Sequence, residues 1–149
     1  MGTLGYARSF RELVVYRNAR MLSKDLFEVS KSFPREEMYA LTDQLRRCSR
    51  SVGAQIAEAW AKRRYERHFV SKLTDADGEQ YETQHWIETA GDCGYLNSDQ
   101  VAEYLAHCEE IGRLLGGMIA KSDLFCNDSS RALRESAVEY LISGAELPE

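Results

Sequence analysis

Apolar residues recur along this chain at alternating steps of four and three, through four segments separated by short polar breaks. Such a step averages 3.5 residues and keeps one stripe turned toward a partner helix. The first stripe is Val15, Ala19, Leu22, Leu26, Val29 and Phe33. Ser9 followed by Glu12 predicts its start as a capping box. Phe33-Pro34 predicts its end, because proline disfavours helical geometry in the residue before it. The second stripe, Leu41, Leu45, Cys48, Val52, Gln55 with Ile56, and Ala59, opens after Glu36 and Glu37, whose charges suit a helix N-terminus. The third, Phe69, Leu73, Ala76, Gln80, Thr83, Ile87 and Ala90, stops at the turn-forming Gly91-Asp92-Cys93-Gly94. The fourth, Val101, Leu105, Cys108, Gly112, Leu115 and Ile119, follows Asn97-Ser98, either of which is a good N-cap.

Four amphipathic helices of roughly 20 to 28 residues with mostly short joints predict an all-α, antiparallel up-down four-helix bundle over residues 1–121. Residues 122–149 form a C-terminal extension, in which Arg131 to Ile142 reads as a short fifth helix. Some apolar residues lie off the main stripes: Leu13, Tyr16 and Phe27 on the first helix, Tyr104, Ile111 and Met118 on the fourth. The second helix also turns a small face, Ala54, Ala57 and Ala61, away from its stripe. These flanks either widen the core of one subunit or meet further copies in a homo-oligomer.

A chain of 149 residues is one domain by length, and 44% hydrophobic with 29% charged residues is a globular composition. No apolar run reaches the roughly 18 residues of a membrane span, and Met1 to Phe10 has no signal-like apolar core, so a cytoplasmic location is expected. Cys48, Cys93, Cys108 and Cys126 form no Cys-x-x-Cys pair and read as structural thiols, with disulfide or metal binding as the alternative. Gln80 and Thr83 place polar groups in a core stripe, which predicts a hydrogen-bonded layer that fixes register. Gly112, Gly116 and Gly117 predict close helix crossing, since each weakens the helix otherwise.

Charge changes the picture most. The net charge is −5, yet Arg46 to Lys72 holds eight Lys or Arg against two Glu, and Leu73 to Gly112 holds ten Asp or Glu and no cation. Arg46, Arg47, Arg50, Lys62, Arg63, Arg64, Arg67 and Lys72 are therefore the candidate nucleic-acid-binding residues, with Tyr65, His68 and Phe69 interleaved to stack on bases. The same cations could instead pair with Glu58, Glu66, Asp75 and the acidic third helix, within a subunit or between subunits. Glu82 and His85 make one Glu-x-x-His pair, but a two-metal bundle site needs a second, and Glu103 with His107 has the wrong spacing. No nucleophile elbow or phosphate-binding glycine loop occurs, so no enzyme activity, metal or other cofactor is expected.

Phe10-Arg11-Glu12-Leu13-Val14-Val15-Tyr16, Phe33-Pro34-Arg35-Glu36-Glu37 with Tyr39 and Leu41, Gln44-Leu45-Arg46-Arg47, Ser51-Val52 with Ile56-Ala57-Glu58, and Gly94-Tyr95-Leu96 follow one another in the chain. Their order and spacing over about residues 10 to 121 resemble the four-helix-bundle proteins encoded within intervening sequences of 23S rRNA genes. The resemblance implies a bacterial bundle that assembles as a ring-like homo-pentamer. It also implies kinship with the accessory protein of diversity-generating retroelements, which works with a reverse transcriptase and with RNA or DNA. Gln55, Ala59 and Gln80 stand where that family usually has Asn, Gly and Glu.

Overall fold

The computed structural model describes residues 7–126, and every regular element among them is helical. Four long helices, α1 (Val14–Ser30), α2 (Asp43–Ala61), α3 (Glu66–Asp92) and α4 (Ser98–Ala120), are followed by a short α5 (Ser122–Cys126). Each long helix packs on its chain neighbour, and α4 closes the bundle against α1. The pairings run antiparallel throughout. Arg46 reaches Ser30 while Gly53 lies against Ala19; Cys48 meets Thr83 while Glu58 meets Lys72; Gly91 meets Val101 while Glu66 meets Ser122. The up-down four-helix architecture expected from the hydrophobic spacing is the one observed.

The third stripe is buried residue for residue: Phe69, Leu73, Ala76, Gln80, Thr83, Ile87 and Ala90. The α2 stripe is likewise buried at Leu41, Leu45, Cys48, Val52, Ile56 and Ala59. On α1, Val15, Ala19, Leu22 and Leu26 are buried, and Phe33 joins them from beyond the helix end. The α4 stripe is turned from its predicted position. Its buried residues are Cys108, Ile111, Leu114, Leu115 and Met118, while Val101, Leu105, Gly112 and Ile119 are only half-buried. The chain there offers apolar residues at both phases, and contact with α1 as well as α3 selects the wider face. Ile111 and Met118, together with the fully buried Leu13, are thus core of a single subunit and demand no second copy.

The ends of the helices also differ from expectation. Ser9 accepts a hydrogen bond from the Arg11 amide, and the Arg8 amide donates to Glu12 Oε2 at 2.6 Å. These bonds cap a single 3-10 turn, Phe10–Glu12; Leu13 is then extended, and α1 begins at Val14. Glu36 and Glu37 likewise head a 3-10 turn, Arg35–Glu37, which passes through a π turn, Met38–Thr42, into α2. Two of the long helices are therefore shorter than expected. At the α3/α4 joint the reading holds: Gly94 takes φ 77°, where a side chain is disfavoured. Asn97 and Gln100 form a reciprocal capping box for α4.

The polar layer is satisfied. Gln80 donates to Asp77 Oδ1 at 2.9 Å and accepts from Gln84 at 2.7 Å, and the Thr83 hydroxyl donates to the Glu79 carbonyl at 2.8 Å beside Cys48 Sγ. Gly112 fits against this layer: a Cβ there would lie 2.8 Å from Gln80 Nε2. Gly116 does not follow the close-crossing expectation, for a Cβ there meets open space. Beyond α4, Phe125 is 5% exposed and stacks on Phe69 at 5.7 Å, and Ser122 donates to Glu66 at 2.7 Å, so α5 is tied to the start of α3. The helix expected at Arg131 to Ile142 lies outside the described residues.

Urea melts should separate the two glycines. Gly116→Ala should raise stability by about 1 kcal/mol through helix propensity alone. Gly112→Ala should forfeit that gain, because the Gln80 amide must leave its buried bonds. Phe125→Ala should cost about 3 kcal/mol if α5 belongs to the packed unit.

Candidate nucleic-acid interface

The polar side of α2 meets α1 along a groove whose walls are largely cationic. Arg46 is half-buried at its edge, where Nε donates to Ser30 Oγ at 2.8 Å. Its guanidinium stands 4.8 Å from the Phe27 ring centroid; that of Arg50 stands 5.2 Å away, and Lys31 Nζ 4.8 Å. One half-buried aromatic ring thus gathers three cations, each gaining from the negative π face. Arg47, next along the helix, donates to Gln44 Oε1 at 2.8 Å. Lys31 is paired with Glu28 at 3.1 Å, whereas Arg46, Arg47 and Arg50 form no ion pair among the described residues.

Three open depressions meet at Arg50. The largest, about 690 Å³, lies between Arg50 and Tyr39 and is lined also by Asp43, Gln44, Arg46 and Arg47. A second, about 480 Å³, adds Arg20, Lys24 and Phe27 from α1. The third, about 310 Å³, continues over Ala54 and Ala57 to Tyr16 and Phe10. Helix spacing explains the shared wall: Arg46, Arg50, Ala54 and Ala57 follow at steps of four, four and three on α2, and Arg20, Lys24 and Phe27 at four and three on α1. Among the described residues, five cations, Arg20, Lys24, Arg46, Arg47 and Arg50, line this run with the carboxylate of Asp43. Arg47 also acts on Glu79 of α3, whose pKa burial raises and Arg47 lowers.

The other candidates lie elsewhere. Lys62, Arg63, Arg64 and Arg67 cluster at the α2/α3 corner, with Lys62 about 18 Å along the helix axis from Arg50. Lys62, Arg64 and Arg67 are exposed there. The Arg63 guanidinium lies 3.6 Å over the Trp60 ring, and its Nε donates to the Trp60 carbonyl. Tyr65 and His68 pair beside it with ring centroids 5.4 Å apart. Phe69, expected to stack on bases, is fully buried against Phe125 and cannot. Lys72 is held by Glu58 at 2.9 Å and Asp75 at 3.8 Å, with Gln55 at 3.3 Å; the bond to Glu58 raises its pKa and keeps it charged and paired.

The structure therefore brings Arg46, Arg47 and Arg50 together, sets four cations apart at the corner, and neutralises Lys72 in place. Sequence reasoning missed Arg20, Lys24, Phe27 and Tyr39. The signal was the shared spacing of α1's polar flank, which acquires meaning only once α1 is placed beside α2.

Other chemistry is thin. Glu82 is exposed and accepts a bond from Trp86 Nε1 at 3.3 Å, and His85 stands edge-on to the same indole. Among the described residues no three His, Cys, Asp or Glu side chains converge as a metal site. All four cysteines are unpaired thiols. Burial pushes Cys48 up to about 11 and Cys108 up to about 12, so both are small apolar fillers rather than nucleophiles. Among the described residues, no helix is long and apolar enough to cross a membrane.

A four-helix bundle with a cation-walled groove between its first two helices is the class these observations define. The family model of the 23S rRNA-intervening sequence protein matches residues 11–117, and the chain belongs to that family. Among solved structures it is similar to a protein of unknown function from the S23 ribosomal protein family of Bacteroides thetaiotaomicron. That match has 23% identity and a TM-score of 0.62, covers 70% of this chain and 97% of that one, and shows a shared fold. No curated protein matches the chain at a significant level.

A thiol reagent at neutral pH should modify the exposed Cys93 at once and reach Cys48 and Cys108 only after unfolding. Because the folded thiols titrate above their ordinary value of 9.0, stability should hold below pH 9. It should then fall as pH rises toward about 12 for Cys108, which chemical melts at stepped pH would follow.

Proposed function

We propose that this chain is a non-enzymatic bundle that binds RNA or an RNA-DNA hybrid through its α1/α2 groove. The observation that carries the reading is Arg50, the shared wall of three depressions, flanked by Arg46 and Arg47 with no ion pair among the described residues. On a chain of net charge −5, unpaired guanidinium groups gathered in one place are a selective concentration of positive potential. Arginine suits the phosphodiester backbone because its planar fork meets phosphate oxygens in pairs. Membership of a family named for sequences that interrupt ribosomal RNA genes supports a nucleic-acid setting. The corner cations, Lys62, Arg63, Arg64 and Arg67, extend the same footprint. The protein works as a homo-oligomer, a ring of five, beside a reverse transcriptase; the resemblance in sequence supports both assignments.

A second reading has its own observation. Exposed Glu88, Asp92, Glu103 and Glu109 make the α3/α4 side acidic, and within the subunit the α2 cation Arg47 already lowers the pKa of Glu79 on α3, against the rise from burial. In this reading the α2 arginines join the acidic side of a neighbouring copy and the protein is an interaction scaffold.

Filter or anisotropy titrations across salt distinguish the two. If the five groove cations each meet a phosphate, the logarithm of affinity for single strands should fall by about 3.5 per decade of salt. Arg50→Glu should abolish binding at low salt while the sedimentation coefficient stays unchanged. Loss of the oligomer in the double variant Arg46→Glu, Arg50→Glu, with no RNA or DNA binding by the wild type, would establish the scaffold instead.

A further inference from the structure

The groove's widest part holds two residues that phosphate binding does not use. Tyr39 is 82% exposed, on the π turn that leads into α2. Among the described residues its ring has no aromatic or cation partner. One turn on, Asp43 lines the same depression, exposed and without an ion pair among the described residues, although Arg46 and Arg47 share its walls. A carboxylate here opposes a purely phosphate-directed surface. It does suit a base edge, since it accepts hydrogen bonds and donates none, as an exocyclic amine requires.

We infer that the groove binds single-stranded nucleic acid with one amino-bearing base seated at Tyr39 and Asp43. The base stacks on the Tyr39 ring, its exocyclic amine donates to Asp43, and the phosphates that follow run along Arg46, Arg47 and Arg50. This rests on the nucleic-acid reading above and narrows it to a strand type and a base preference.

Geometry favours a single strand over a duplex. Helices α1 and α2 come close at Gly53, where a Cβ would sit 3.7 Å from the Tyr16 ring and 3.9 Å from Ala19. The depression at Tyr39 and Asp43 lies away from that contact, lined by the π turn and α2, and is an open surface on which an unpaired base can lie. A paired base has its Watson-Crick edge occupied and its faces stacked, so neither Tyr39 nor Asp43 could engage it. Cytosine fits the pair best: its amine meets a carboxylate acceptor, whereas uracil offers a carbonyl at that position and repels it.

The test titrates the full chain at low salt with single-stranded oligocytidylate and oligouridylate of about 12 nucleotides and with an RNA duplex of the same length. Wild type should favour oligocytidylate about tenfold over oligouridylate. Tyr39→Ala should weaken single strands about tenfold, Tyr39→Phe should restore them, and duplex binding should move in neither. Asp43→Asn should bring the two homopolymers to equal affinity. Equal binding of both homopolymers by wild type, or single-strand affinity unmoved in Tyr39→Ala, overturns the inference; if Arg50→Glu still abolishes binding, the nucleic-acid reading survives it. Failure of wild type to bind any of the three overturns both. Tyr39 projects into solvent, and unchanged thermal melts of its variants would confirm that the fold is intact.

Discussion

The burial of one face of α3 is the constraint on which the molecule depends. Seven residues from Phe69 to Ala90 leave water together, and α2 packs on one side of that stripe while α4 packs on the other. Apolar burial alone would tolerate sliding by a heptad, since one apolar layer resembles the next. Gln80 and Thr83 remove that freedom. Gln80 finds room only opposite Gly112, and Thr83 meets Cys48, so the pairings on both sides of α3 are set by groups that would lose partners if displaced. The position of α2, and with it every arginine on its outer face, follows from that register.

With α2 so placed, its outer face divides into regions of different electrostatic character. Along the α3 side, cations and carboxylates meet: Lys72 of α3 pairs with Glu58 of α2 and with Asp75, and Arg47 of α2 lowers the pKa of Glu79 on α3, against the rise from burial. Near α1, Arg46 and Arg50 are matched by an aromatic ring and a hydroxyl oxygen instead. The distinction matters because a carboxylate partner cancels the field of a cation, whereas Phe27 and Ser30 orient Arg46 and Arg50 without neutralising them. The α1 side is thus preorganised for an anion and the α3 side is not.

The sequence disclosed the helices and most of the core because the heptad stripe is a one-dimensional property, and α3 matched it at every position. It disclosed less where two phases were both apolar. On α4, Ile111 and Leu114 compete with Gly112 and Ile119 for the inward direction, and only contact with α1 decides between them. A side-chain cap at Ser9 marks the start of α1 in the sequence, yet Leu13 is extended and fully buried, so the core, not Ser9, fixes where α1 begins. The candidate site was half legible. Charge density along the chain points to Arg46, Arg47 and Arg50. Arg20, Lys24 and Phe27 lie about 20 residues upstream and join them only through the α1/α2 packing. Charge alone singles out Lys72, but Glu58, fourteen positions earlier, folds back to claim it.

The π turn at Met38–Thr42 has a consequence for timing around the helix axis. It carries the Asp43 amide to the Met38 carbonyl, one residue farther than an α-helix would reach. Each α-helical residue advances about 100° around the axis, so the wider turn acts as a phase offset between whatever precedes α2 and everything on it. Removing one residue here and closing the turn to α geometry would leave the core and the arginines where they are. Tyr39 would swing by roughly a quarter of a circle away from them. The segment is in this sense a clutch: it couples the aromatic residue to the cationic face at one angular setting, independently of the bundle that carries both.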